Sequence, residues 1–207
     1  MADPWRYLRP AAEASAEFKD QGSSFLAFLA PAAGPEEAQA HLESLRRRYH
    51  DATHHCWAYR VGWSEGAEAR YGDDGEPSRT AGPPILSALE AREVSDASLV
   101  VVRYFGGVKL GTGGLVRAYR AAALGALDAA ELETRVLTSE WEVTLPYGAQ
   151  GALRHAAAQM GVEVSDAGYG ESLVLAAVVP RSEEPRFLAA LEALRETWKG
   201  AVAWRSK

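Results

Sequence analysis

Five glycines crowd into a short stretch at positions 106, 107, 111, 113 and 114. They separate an apolar, β-branched run, Leu99-Val100-Val101-Val102, from a long Ala-rich segment. The run reads as a buried strand and the Ala-rich segment as a helix, from Gly114 to about Leu132. A strand must therefore stop, and a helix must start, within a glycine-rich turn. Glycine removes the Cβ that keeps backbone N–H groups from converging, and the helix start adds partial positive charge. Between Leu99 and Leu127 there is no Asp or Glu, while Arg103, Lys109, Arg117 and Arg120 all fall there. An anion at this turn would meet donors and no opposing carboxylate. Arg103, Gly106, Gly107, Lys109, Gly111, Thr112, Gly113, Gly114 and Arg117 are thus the expected anion, phosphate or RNA contacts. The alternative is a tight turn whose arginines are solvated or paired with acids elsewhere.

Known nucleotide fingerprints do not match the turn. A P-loop needs Gly-Lys followed by Ser or Thr, and there is no Gly-Lys pair here. Gly111-x-Gly113 opens a dinucleotide fingerprint, but Val116 stands where the third small residue belongs.

The chain of 207 residues carries 22 Lys and Arg against 28 Asp and Glu, a net charge of −6, which excludes a uniformly basic coat and leaves only a local basic patch. Apolar residues make up 47% and charged ones 24%, which excludes a mostly disordered chain. The single cysteine, Cys56, excludes an internal disulfide and fits a reducing compartment. The start has no basic region and no long apolar core, and the apolar run Leu173 to Val179 is far shorter than a bilayer span. A soluble, cytoplasmic protein without membrane partners is expected.

Periodicity predicts the remaining elements. Ala14, Ala16 and Phe18 alternate as a strand, and a second strand begins at Phe25. Ala38, Leu42, Leu45 and Tyr49 share a helical face that opens near Pro35. Cys56 to Val61 and Glu68 to Tyr71 read as strands, and Pro83-Pro84 opens a short helix. A change of pattern near Leu137 to Ser139 marks a boundary, giving domains 1–137 and 138–207. The second half reads β-α-β-β-α-β, the ferredoxin-like order. The fold class is α+β.

Three further groups are candidates. His54, His55 and Cys56 adjoin on a strand, where neighbours point to opposite faces, so they cannot all bind one ion. Zinc would need further ligands that the sequence does not offer, so no metal and no cofactor is expected. Asp73, Asp74 and Glu76 crowd a loop in which Asp74-Gly75 sets the bend. With Ser78 and Thr80 they form a candidate partner-binding edge, and His54 and Glu76 are the only candidate catalytic groups. If this loop covers the glycine turn, acids and bases neutralise each other. Arg46, Arg47 and Arg48 end the first helix, where the dipole favours cations, and would extend a phosphate track.

Ala52 to Tyr59, Asp73 to Leu86 and Val102 to Tyr119 resemble the motifs of the IMPACT/YigZ family. The resemblance covers most of residues 15–130, and the C-terminal part is similar to the extra domain of bacterial YigZ-type members. It implies an N-terminal α/β sandwich-like domain similar to the second domain of a small-subunit ribosomal protein and to domain IV of elongation factor G. It implies a C-terminal domain similar to the ferredoxin-like domains of that factor. Eukaryotic relatives regulate translation by binding a partner of a stress kinase that senses amino-acid starvation. The family's Ser-Arg-Phe near the second strand is Ser23-Ser24-Phe25 here, so one cation is missing.

The expected function is non-enzymatic: binding RNA, the ribosome or a translation factor, and so regulating translation. The alternatives are a protein-interaction module using loop 73–86, or an enzyme acting on a small phosphorylated compound.

Overall fold

The computed structural model describes residues 4–63 and 66–207. Its contacts divide the chain into Arg6–Arg135 and a second unit of Val136–Lys207 with the N-terminal residues up to Trp5.

The larger unit holds a five-stranded antiparallel sheet of β2 (Ala14–Asp20), β3 (Ser23–Pro31), β6 (Ala97–Tyr104), β4 (His54–Val61) and β5 (Glu68–Gly72), in that spatial order. Helix α1 (Pro35–Arg48) packs Leu42 and Leu45 on one face, against Val100 and Val102. Helices α2 (Gly82–Ala91) and α3 (Gly111–Asp128) cover the other face. There Ile85, Leu89, Leu115 and Tyr119 meet Phe25, Leu29, Cys56, Leu99 and Val101. Strand β6 is central and covered on both faces, which explains its unbroken apolar run.

A two-stranded sheet of β1 (Arg6–Pro10) and β7 (Leu132–Val136) lies outside this layer. Neither strand was expected. Both are mostly polar, Arg-Tyr-Leu-Arg-Pro and Leu-Glu-Thr-Arg-Val, and side-chain pairing such as Arg9 with Glu133 supports them rather than periodic burial. Helix α3 accordingly ends at Asp128, short of the predicted Leu132.

The second unit runs β8 (Thr138–Leu145), α4 (Gln150–Ala158), β9 (Glu163–Tyr169), β10 (Leu173–Pro180), α5 (Glu184–Thr197) and β11 (Ala203–Ser206). Its sheet order is β11-β8-β10-β9, antiparallel throughout. Val143, Leu145, Leu173, Leu175 and Val179 meet Leu153, Phe187 and Leu191 in a separate core. The chain is therefore α+β, with several sheets. Among the described residues no helix is long and apolar enough to cross a membrane.

His41 of α1 is half-buried, with Nδ1 3.0 Å from Ser98 Oγ. Burial holds its pKa below the ordinary 6.5, partly offset by Glu13. The unfolded chain then binds this proton more readily than the native one. The resulting stability is present at neutral pH and falls as pH drops through 6.5. His41→Gln is expected to flatten the loss of urea stability between about pH 7 and pH 5. A wild-type slope retained in the variant would exclude His41 as its source.

Candidate functional site

The register across three strands brings Phe25, Arg103 and His54 side by side, because Arg103 pairs with both Phe25 and His54. All three lie at one end of the sheet face covered by α2 and α3. The apolar column of β6 thus ends in a guanidinium, and that charge is 5% exposed. Its compensation comes from the acidic loop. Arg103 Nη1 donates to Glu76 Oε1 at 2.5 Å, and the Glu76 side chain is only 3% exposed. Tyr119 donates to the same oxygen at 2.7 Å. Ser23 Oγ lies 3.4 Å from Arg103 Nη2 and accepts from Gly106 N at 3.1 Å.

His54 Nδ1 sits 2.8 Å from the carbonyl oxygen of Asp74 and so carries the proton there, since a carbonyl only accepts. Its Nε2 is then turned to Glu76 Oε1, 3.9 Å away. The two candidate catalytic groups do meet. Cys56 faces the same cluster, 3.3 Å from the Tyr119 hydroxyl, while His55 lies across the strand against Tyr49 O at 3.1 Å. Burial pushes the Cys56 thiol and the Tyr119 hydroxyl well above their ordinary pKa values. Both stay protonated at neutral pH, so neither is an activated nucleophile or base.

The other loop carboxylates also turn inward. Asp73 accepts from the backbone N–H groups of Arg79, Ala81 and Gly82 at 2.7, 3.0 and 2.8 Å. It caps α2 from outside the helix, where Ala81 provides no side-chain cap. Asp74 receives Arg46 at 2.9 Å and His55 N at 2.7 Å. Asp74 and Gly75 both have positive φ, as the bend requires. Thr80 is buried and donates to Pro77 O at 2.6 Å, and Ser78 is exposed. Arg46 is therefore held by Glu43 and Asp74, and the basic helix end is partly spent inside the fold.

The glycines divide by role. A Cβ on Gly106 would lie 1.9 Å from the carbonyl carbon of Gly22, so here the backbone itself packs on the β2–β3 turn. Gly111 has φ +69° with open space around it. Gly107 shares that positive φ, and Gly114 is tight against Leu110. Gly113 is exposed, and the nearest neighbour of an added Cβ would be Arg117 Nη1 at 3.5 Å. The Arg117 guanidinium thus reaches back over the first turn of α3.

Both α2 and α3 start without an acidic residue in the first turn and without a cap of their own, but the first amides of α2 meet Asp73, and no loop carboxylate meets those of α3 among the described residues. Lys109, Thr112 and Arg117 are exposed. Among the described residues neither Lys109 nor Arg117 has an ion-pair partner. The stretch read as one cationic turn is therefore two things. Arg103 is internally neutralised, and Lys109, Arg117 and the amides of residues 111–113 remain open. The sequence reading passed over Tyr119 and Phe105. A tyrosine in an Ala-rich helix and an aromatic beside two glycines were the available signals.

The Impact N-terminal domain matches residues 21–127, which contain this whole arrangement. An IMPACT family member of Haemophilus influenzae is 35% identical over 170 residues, 82% of each chain. The IMPACT family member YigZ of Escherichia coli is 33% identical over 89% of this chain and 91% of its own length. A crystal structure of a hypothetical protein superposes with a TM-score of 0.68 at 30% identity, over 98% of both chains. The chain belongs to the IMPACT family.

Two substitutions separate these roles. Gly106→Ala is expected to cost about 3 kcal/mol or more in urea unfolding, because backbone must move, whereas Gly113→Ala gains up to about 1 kcal/mol from helix propensity. Equal effects would contradict the assignment. Glu76→Ala leaves Arg103 buried and uncompensated, with an expected loss of about 3–5 kcal/mol. A loss below about 1 kcal/mol by the same measurement would show that the pair is not needed.

Proposed function

We propose that the protein binds RNA, through phosphate contacts at the start of α3, and regulates translation in the cytoplasm. The observation that carries this reading is the pairing of an uncapped helix start with two exposed cations, Lys109 and Arg117, that no carboxylate engages among the described residues. Family membership supports it, since eukaryotic IMPACT proteins are translation regulators. RNA, free or in the ribosome, is favoured over a protein partner at loop 73–86. The carboxylates of Asp73, Asp74 and Glu76 are occupied within the chain, so the loop does not offer its acids to a partner. It is favoured over catalysis on a small phosphorylated compound because Glu76, one of the two candidate catalytic groups, is buried and committed to Arg103 and Tyr119.

On this reading residues 1–137 are an IMPACT-like domain similar to the second domain of a small-subunit ribosomal protein and to elongation factor G domain IV. Residues 138–207 are a ferredoxin-like domain, a reading supported by the β-α-β-β-α-β order and the sheet order β11-β8-β10-β9.

The test is fluorescence anisotropy of a labelled RNA stem-loop titrated with the full chain across a salt series. Phosphate contacts predict a linear fall of log affinity with log salt. Replacing Lys109 and Arg117 together by Glu is expected to weaken binding and reduce the slope by about 2. Affinity and slope unchanged in that double variant would move the interface elsewhere.

A further inference from the structure

The start of α3 opens into a cavity of about 360 Å³. Its apolar lining comes from Pro77, Phe105, Leu110 and Leu115; Lys109, Gly111 and Thr112 line it at the helix start. Glu76 and Arg103 also line it. Phosphate contacts alone do not need such a cavity, because an anion on a helix start requires only amides and a cation.

Two observations point to a second component of the ligand. First, Arg103 Nε is the one fully buried side-chain nitrogen or oxygen among the described residues that has no hydrogen-bond partner. The guanidinium is held on its other side by Glu76, and its carbon lies 5.6 Å from the Phe105 ring centroid and 5.3 Å from that of Phe25. A buried donor left unmet is costly, and here it lies in the residue that lines the cavity. Second, large apolar side chains are exposed on this turn and on the helix after it: Phe105 is 47% exposed, Val108 50% and Val116 of α3 37%. An apolar patch interleaved with Lys109 and Arg117 suits a ligand that is itself part planar and apolar, part anionic.

We propose that this cavity seats one unpaired nucleobase of the bound RNA. The base stacks on Phe105 against the Pro77, Leu110 and Leu115 wall. Its phosphate lies on Lys109 and the amides of residues 111–113. Every base has a stackable face, so the aromatic provides affinity without choosing a sequence. A base inside a duplex cannot enter, which makes the site selective for single-stranded, looped or bulged RNA. This inference rests on the RNA-binding reading above and adds to it the class of RNA that the site takes.

The experiment compares a labelled single-stranded RNA 12-mer of mixed sequence with the same strand in a blunt duplex, at one salt concentration, with the full-length protein. Wild type is expected to prefer the single strand. Phe105→Ala and Phe105→Leu are expected to weaken single-strand binding about fivefold to a hundredfold, while Phe105→Trp retains it. Phe105→Leu keeps an apolar cover over Arg103, so its loss reports the aromatic face and not the fold. Equal affinity of wild type for strand and duplex overturns the nucleobase seat. So does unchanged affinity in both the Ala and Leu variants while Lys109→Glu still weakens binding, and in that case phosphate binding at α3 stands. If wild type binds neither RNA, both readings fall.

Discussion

A guanidinium enclosed by strands and aromatic rings is tolerable only with a carboxylate at hydrogen-bond distance, and the Arg103–Glu76 pair meets that condition at the end of the five-stranded sheet. Taking two charges out of water costs several kcal/mol per ion, so the pair is more a geometric constraint than a surplus of stability. Arg103 belongs to β6, Glu76 to the loop after β5, and Tyr119 to the middle of α3. The three meet only if the loop folds back over the strand end and α3 runs across the sheet from that same end. Asp73 uses the resulting loop position to cap α2, and Asp74 uses it to hold Arg46.

The consequence is an uneven distribution of charge in an acidic protein. Two helices cover one sheet face and neither brings a cap of its own, yet only α2 has its start filled by a carboxylate. All three acids of the loop are committed within the chain, Asp73 to the α2 amides, Asp74 to Arg46 and Glu76 to Arg103. Lys109 and Arg117 are therefore uncompensated because of where the acids are held, not because the chain is basic. The cavity beside them inherits a wall of Pro77, Leu110 and Leu115 from the same loop and helix.

Much of this was legible in the sequence. The β-branched run of β6, the helical spacing of α1 and the glycine turn each carry a local signal strong enough to place an element. So does the alternation that puts His54 and Cys56 on one face and His55 on the other. What was not legible depends on partners distant in the chain. Glu76 and Arg103 are separated by 27 positions, and the sequence allowed equally that the acidic loop neutralises the turn or leaves it open. The structure does both, residue by residue. The glycines could not be told apart either, since the close approach of Gly106 to Gly22 is a contact across 84 positions. Strands β1 and β7 escaped because they are polar and lie at opposite ends of their unit.

The most direct test is to follow backbone amide resonances of the full chain while a single-stranded RNA is added. The expected result is that the largest shifts fall on Phe105, Lys109 and residues 111–113, with the Arg79, Ala81 and Gly82 amides that Asp73 holds nearly still. Shifts concentrated at Arg47 and Arg48, or in Val136–Lys207, with the start of α3 silent, would contradict the central claim that the acids of loop 73–81 leave this one helix start free for an anionic partner.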